Sequence, residues 1–269
     1  MRVALSSTFM KLKNWNFRVT WVLLVLGLLG NAASAEARRP IGEKEKKDKS
    51  ASVSDKVVDS GSFGVFIKGQ RVVSETFNVQ QQNGNSLIKA QLKETGASDT
   101  EQKSDLEITS SGELLRYEWS ATAGSSLVVF PQNEFLMEKI TASPGAKAAE
   151  QPFLMPSSSI ILDNNFFVQR EVLAWRYLAA NCHPEGGNLQ CQKGPVEFGA
   201  LVPQDRASTR VRMELVGKEK ITIRGVEHEL IRLSLTGENL EWALWVDEHD
   251  QFKLMRVSIR ADDTEVVRD

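Results

Sequence analysis

Histidine, cysteine and tyrosine are scarce in this 269-residue chain, with three, two and two copies. His183, His228 and His249 lie far apart, so a triad or a zinc site would need distant groups to converge. The chain has no G-x-S-x-G elbow, G-x-G-x-x-G loop, P-loop or H-E-x-x-H. Nothing in the residues calls for a cofactor or a metal, and an enzyme is the weaker expectation. No apolar run approaches the roughly 20 residues of a spanning helix. Nor is there an excess of positive charge: the formal net charge is −2. That argues against sequence-independent nucleic-acid binding, which depends on Lys and Arg neutralising phosphates.

What is present begins at the amino terminus. Arg2, Lys11, Lys13 and Arg18 form a basic start without an acid, residues 21–29 are almost wholly apolar, and Ala33-Ser34-Ala35 is a small-x-small cleavage signal. This is the three-part pattern of a secretory signal peptide over residues 1–35. The alternative is an uncleaved anchor. The expected location is exported, either periplasmic or secreted, with no transmembrane span after cleavage. Losing four basic and no acidic side chains takes the formal charge from −2 to −6. No cysteine lies near the cleavage site, which argues against a lipid-anchored lipoprotein.

Export changes the reading of Cys182 and Cys191. In an oxidising compartment an even cysteine count favours a disulfide. Free thiols are the alternative. A redox pair would want C-x-x-C spacing, and His183 beside Cys182 does not complete a four-ligand metal set.

Residues 36–60 read as a disordered, charged tether, with Glu43-Lys44-Glu45-Lys46-Lys47-Asp48-Lys49 and little apolar surface to offset ordering entropy. From Gly61 the texture changes. Phe63, Val65 and Ile67 fall at every second position, and Ile88, Ala90 and Leu92, and Leu115, Tyr117 and Trp119, alternate with polar residues. The same period of two returns in Val211, Met213 and Leu215, in Ile231, Leu233 and Leu235, and in Leu240, Trp242 and Leu244. Period two with one apolar face marks half-buried antiparallel strands. Residues 142–156 read as a loop. One helix is expected near residues 163–180, capped by Asp163, with Phe166, Leu173 and Tyr177 on one face. It would plug the sheet or gate a ligand, and a disulfide loop over residues 182–191 would follow it. The expected fold is mainly β: residues 61–269 form a single domain, a strongly curved antiparallel sheet or half-open barrel of about eleven strands with one main helix packed in or across it.

Two polar clusters bear on chemistry. In Glu227-His228-Glu229 a strand would put both glutamates on one face and the histidine on the other. Solvated glutamates and a paired-carboxylate hydrolase site are the two readings. The acidic turn Asp247-Glu248-His249-Asp250 reads as a polar hairpin tip, or as oxygen ligands for a divalent cation. The aromatic residues offer a different handle. Four tryptophans follow the signal segment, and Trp242 and Trp245 lie on opposite faces of one strand. They fill the core, or they line a hydrophobic pocket.

Three segments together resemble a group of uncharacterised bacterial envelope proteins: Gly61-Ser62-Phe63-Gly64-Val65-Phe66 with residues 69–77, residues 161–167, and Leu244-Trp245-Val246-Asp247 through Arg268. The resemblance implies a shape similar to lipoprotein carriers of the LolA/LolB type, a half-open antiparallel barrel closed by helix. It supplies no catalytic residues. The functional expectation is a non-catalytic envelope protein handling a lipid or acyl chain, with Trp119, Phe166, Leu173, Tyr177, Trp242 and Trp245 as candidate lining. The alternatives are an assembly protein binding an envelope partner through sheet edges, and a hydrolase using Glu227 and Glu229.

Overall fold

A computed structural model describes residues 56–96, 101–186 and 188–269. The expected signal peptide and residues 36–55 of the expected tether lie outside the described residues.

The first half is a meander: β1 (Lys56–Ile67), β2 (Gln70–Gln82), β3 (Asn85–Glu94), β4 (Glu101–Thr109), β5 (Leu114–Ala121), β6 (Ser126–Gln132), β7 (Phe135–Thr141) and β8 (Ala149–Phe153). A two-residue strand β9 (Ile160–Ile161) and helix α1 (Val168–Asn181) follow, then the small hairpin β10 (Cys182–Glu185) and β11 (Asn188–Cys191). The second half is β12 (Val196–Val202), β13 (Ala207–Ile223), β14 (Val226–Gly237), β15 (Leu240–Asp247), β16 (Lys253–Ile259) and β17 (Thr264–Arg268). Where both central turn residues have positive φ, as at Lys68-Gly69, Asn83-Gly84 and Arg224-Gly225, the turn's twist matches that of the strands it joins.

All strands except β10 and β11 join one fifteen-stranded sheet running from β8 through β1 and β17 to β12 and β9. Its halves meet where β1 pairs antiparallel with β17, Phe63 opposite Arg268. The sheet has to curl. Laid flat at about 4.8 Å per strand it would be some 65 Å wide. Yet its two edge strands, β8 and β9, are joined by residues 154–159 alone, a span of at most about 25 Å. The edges do not pair with each other, so the barrel stays open along that seam.

The inward faces of both halves and one side of α1 make a single core, including Phe63, Tyr117, Val129, Leu136, Phe166, Tyr177, Met213, Leu233 and Leu244. A second, smaller cluster of Ile223, Leu230 and Trp245 lies apart from it. Its origin is a bulge in β13 between Leu215 and Gly217. Gly217 sits at φ 144° there and Val216 is exposed. One extra residue shifts the alternation by one place. Leu215 opposes Leu233 of the inner face, whereas Ile221 opposes His228 and Glu219 opposes Leu230. β15 pairs with β14 only from Ile231 to Gly237. The far half of the β13–β14 hairpin therefore leaves the sheet and packs Ile221, Ile223 and Leu230 with Trp245, Met255 and Val267. The Arg224 guanidinium ties its tip to the Asp269 carboxylate.

Several boundaries differ from the sequence reading. Among the described residues there are seventeen strands, against about eleven. The additional ones, among them β8, β10, β11 and β12, are short or lack clean alternation. β8 occupies part of the expected loop at 142–156. Within the described residues β1 already runs from Lys56, inside the expected tether, and carries Asp59, the buried partner of Arg268. The helix starts at Val168, not Asp163, whose carboxylate instead accepts from the Asn165 N–H at 2.7 Å. Cys182 and Cys191 are disulfide-bonded and face each other across the β10–β11 ladder.

Closing this ten-residue loop constrains the unfolded chain. A Cys182→Ser/Cys191→Ser variant is expected to lose about 2–3 kcal/mol in urea unfolding, and wild-type protein in reducing agent should match it.

Candidate functional site

A buried polar centre lies where α1 enters the barrel. The first N–H groups of a helix have no partner inside it, and here the amino end faces the core. Phe167 supplies no side-chain cap. The cap comes from β2 instead: the Glu75 carboxylate accepts the Phe167 N–H at 2.6 Å and the Val168 N–H at 3.1 Å. Glu75 reaches it because Val73, Glu75, Phe77 and Val79 share one side of the strand, and Glu75 is fully buried.

Beside it stands Arg170, also fully buried. Its Nη1 donates to the Asp163 and Phe166 carbonyls. Its guanidinium lies 4.6 Å from the Trp242 ring centre and 5.2 Å from that of Phe167, so the cation rests on aromatic faces. The Asp163 carboxylate accepts from the Tyr117 hydroxyl and the Gln204 amide, while its own N–H donates to Gln169 at 2.8 Å.

One turn on, Glu171 meets a second set. Arg268 donates to both Asp59 oxygens at 2.7 and 2.6 Å and to Glu171 at 3.3 Å. The Leu254 N–H donates to Glu171 at 3.2 Å. The helix is thereby tied to β1, β2, β16 and β17 by charges with little or no solvent contact.

Burial dominates the proton affinities. It pushes Glu75 up to about 7, against the lowering effect of its two N–H bonds and Arg170. It raises Asp163 despite the Tyr117 hydrogen bond, and raises Glu171 well above the usual carboxylate range despite Arg268. The Arg170 guanidinium is pushed down to about 10 by the same desolvation and stays charged at neutrality. On β7, Glu138 has no hydrogen-bond partner among the described residues, and burial pushes it up to about 7, opposed by Arg206.

The expected lining residues separate into three places. Phe166, Leu173 and Tyr177 are core, Tyr177 additionally accepting the Leu215 N–H at 3.0 Å. Trp242 carries the Arg170 cation, and Trp245 lies in the smaller cluster, its indole N–H donating to Glu219 at 3.1 Å. Trp119 donates to Gln102 at 3.0 Å and lines an open cleft of about 650 Å³ with Thr76, Lys89, Lys103, Asp105 and Glu118. A second cleft, about 880 Å³, runs between residues 154–159 and the strands β12, β13 and β14. Neither cleft is lined by Glu75, Asp163, Arg170 or Glu171, so the buried acids have no substrate path through either. Glu227 is exposed and paired with Lys220 at 3.3 Å; Glu229 is exposed too, and neither joins a histidine in a cleft. Among the described residues no group of His, Cys, Asp and Glu is arranged to hold a metal, and no helix is long and apolar enough to cross a membrane.

No family model matches the chain, and no curated protein matches it. Among solved structures it is similar to the crystal structure of a β-barrel-like protein of domain of unknown function DUF1849 from Brucella abortus. The identity is 5% over 80% of this chain and 97% of that one, with a TM-score of 0.43.

Two outcomes test the polar centre. Glu75→Ala leaves two buried N–H groups without their acceptor and removes the carboxylate whose charge favours the nearby Arg170, and should cost about 3–5 kcal/mol in chemical unfolding. The second concerns pH. An unfolded glutamate titrates near 4.5 and Glu75 near 7. Between those values the folded chain holds a proton that the unfolded chain does not, so stability falls as pH rises through the window, by up to about 3 kcal/mol from Glu75. Glu138, Asp163 and Glu171 shift in the same direction. The urea midpoint should be higher at pH 5.5 than at pH 8, with the difference reduced in Glu75→Gln. A midpoint that rises toward pH 8 contradicts this.

Proposed function

We propose that this chain is an exported, non-catalytic envelope protein that works as a rigid binding scaffold, presenting the outside of its barrel to a partner. The observation that carries this reading is the filling of the barrel by α1. Phe166, Phe167, Leu173 and Tyr177 are buried where a carried ligand would sit, and two sets of buried charges hold the helix there. Vacating the interior would strand Glu75, Arg170 and Glu171, at several kcal/mol for each broken buried pair. Export and periplasmic or secreted location rest on the pattern of residues 1–35. The open seam supplies unpaired strand edges, and such edges are templates for a partner strand.

Handling of a lipid or acyl chain, in the manner of LolA/LolB-type carriers, is the second reading. The 650 Å³ cleft favours it, because Trp119 is among its lining residues. The ligand would lie in that cleft.

Native mass spectrometry of protein purified from membrane-containing cells separates the two. The scaffold reading expects the bare polypeptide mass, and capture of a defined partner from envelope extract. A stoichiometric lipid adduct that Trp119→Ala abolishes would replace it with the carrier reading.

A further inference from the structure

The 880 Å³ cleft carries an arrangement that a rigid scaffold does not require. Its floor is the outer face of β12, β13 and β14, and its wall is the segment that bridges the open seam. The volume falls in the range of small-molecule sites, about 300–1,000 Å³. On the floor, Glu197 of β12 holds two guanidiniums side by side. Arg210 approaches one carboxylate oxygen through Nε at 3.6 Å and Arg212 the other through Nε at 3.4 Å.

Both contacts use Nε. The terminal nitrogens of both guanidiniums make no hydrogen bond among the described residues, and the two side chains are 81% and 62% exposed. One carboxylate between two guanidiniums leaves a net positive charge and free planar forks held together. Such forks match the oxygens of a carboxylate or phosphate.

A third charge sits close by. Val211 pairs with Gly237 at the end of the β13–β14 ladder, and Glu238 opens the turn that follows, so Arg210 and Glu238 each adjoin that last pair. Glu238 lines the cleft with Thr236 and Ser208, and makes no ion pair with Arg210 within 4.0 Å among the described residues. The floor beneath is kept open by Gly199, where a Cβ would touch the Ser159 hydroxyl at 3.4 Å and Met155 at 3.5 Å. That buried hydroxyl has no hydrogen-bond partner among the described residues.

We propose that this cleft binds a small zwitterion, its oxyanion on the Arg210/Arg212 pair and its ammonium on Glu238. Phosphoethanolamine, free or as a lipid headgroup, has this chemistry, with the two charges separated by a short chain. An anion alone would meet the two arginines but also the repulsion of Glu238, so the cleft should prefer the zwitterion.

The test is a titration of the whole chain with O-phosphoethanolamine and, separately, with inorganic phosphate, followed through the Gly199 and Gly237 amide signals. Saturable binding of phosphoethanolamine is expected, about fivefold or more tighter than phosphate. Glu238→Gln should level the two affinities, and Arg210→Ala/Arg212→Ala should weaken both about tenfold or more. All three side chains are on the surface, so the variants should melt as the wild type does. Vesicles containing phosphatidylethanolamine, compared with phosphatidylglycerol, distinguish a headgroup from the free compound: a shift at the same amides with the first alone assigns the lipid source. Equal affinity for the two anions in the wild type, absence of saturation, or binding indifferent to the arginine variants overturns the proposal.

Discussion

A helix cannot be pushed amino end first into an apolar interior unless something accepts its first N–H groups. That constraint organises the domain. The acceptor is the Glu75 carboxylate, and its charge then needs a counterpart in the same dry space. Arg170, two residues into the helix, provides it, and brings donors of its own that the carbonyls of Asp163 and Phe166 and the faces of Trp242 and Phe167 receive. Asp163, placed to close the entering turn, draws in Tyr117 and Gln204. Each group is present because the previous one could not be buried alone.

The consequence is specificity of placement more than raw stability. Well-packed apolar residues of the same volume would hold a helix as firmly, since desolvation offsets much of the attraction within a buried pair. Only one position of α1, however, puts Phe167 and Val168 at Glu75 while Glu171 meets Arg268 one turn later. A helix rotated or slid by one residue would leave charges unpaired on both sides.

Much of the fold was legible because strand alternation is a local property. The inward rows, the turns with glycine at positive φ and the single helix could be read from spacing. The polar centre was written in the same register and is harder to see. Glu75 stands among Val73, Phe77 and Val79, Asp59 shares the parity of Phe63 and Val65, Glu138 follows Leu136, and Arg268 follows Val266. A charged residue at an inward position is a signal, but its partner is set by the closure of the sheet. Asp59 and Arg268 are 209 residues apart, and no local pattern joins them. The start of α1 was misplaced for the same reason. Asp163 has the composition of a cap, and the residue that actually caps lies 92 positions upstream of Phe167, whose N–H it accepts. The β13 bulge hides differently: Leu215 and Ile221 keep even spacing in sequence while Val216 transfers them to opposite faces.

The two faces of the sheet thus have separate jobs. The inner face is consumed by α1 and its charges, and part of the outer face is covered by the far half of the β13–β14 hairpin over Trp245. What remains for recognition is the outer surface between the bridging segment at 154–159 and β12 to β14, and the cleft beside β2 to β6. The first borders the seam, where the curled sheet stops short of pairing its own edges. A closed barrel would have carried its hydrogen-bonded ladder across that gap. By stopping, the sheet leaves a bridge of six residues whose backbone need not follow strand geometry, and that bridge forms the wall of the larger cleft. The filled interior and the open seam are therefore linked. The helix supplies the interior contacts that closure would otherwise have had to provide, and the unclosed edge is where the surface gains its concavity.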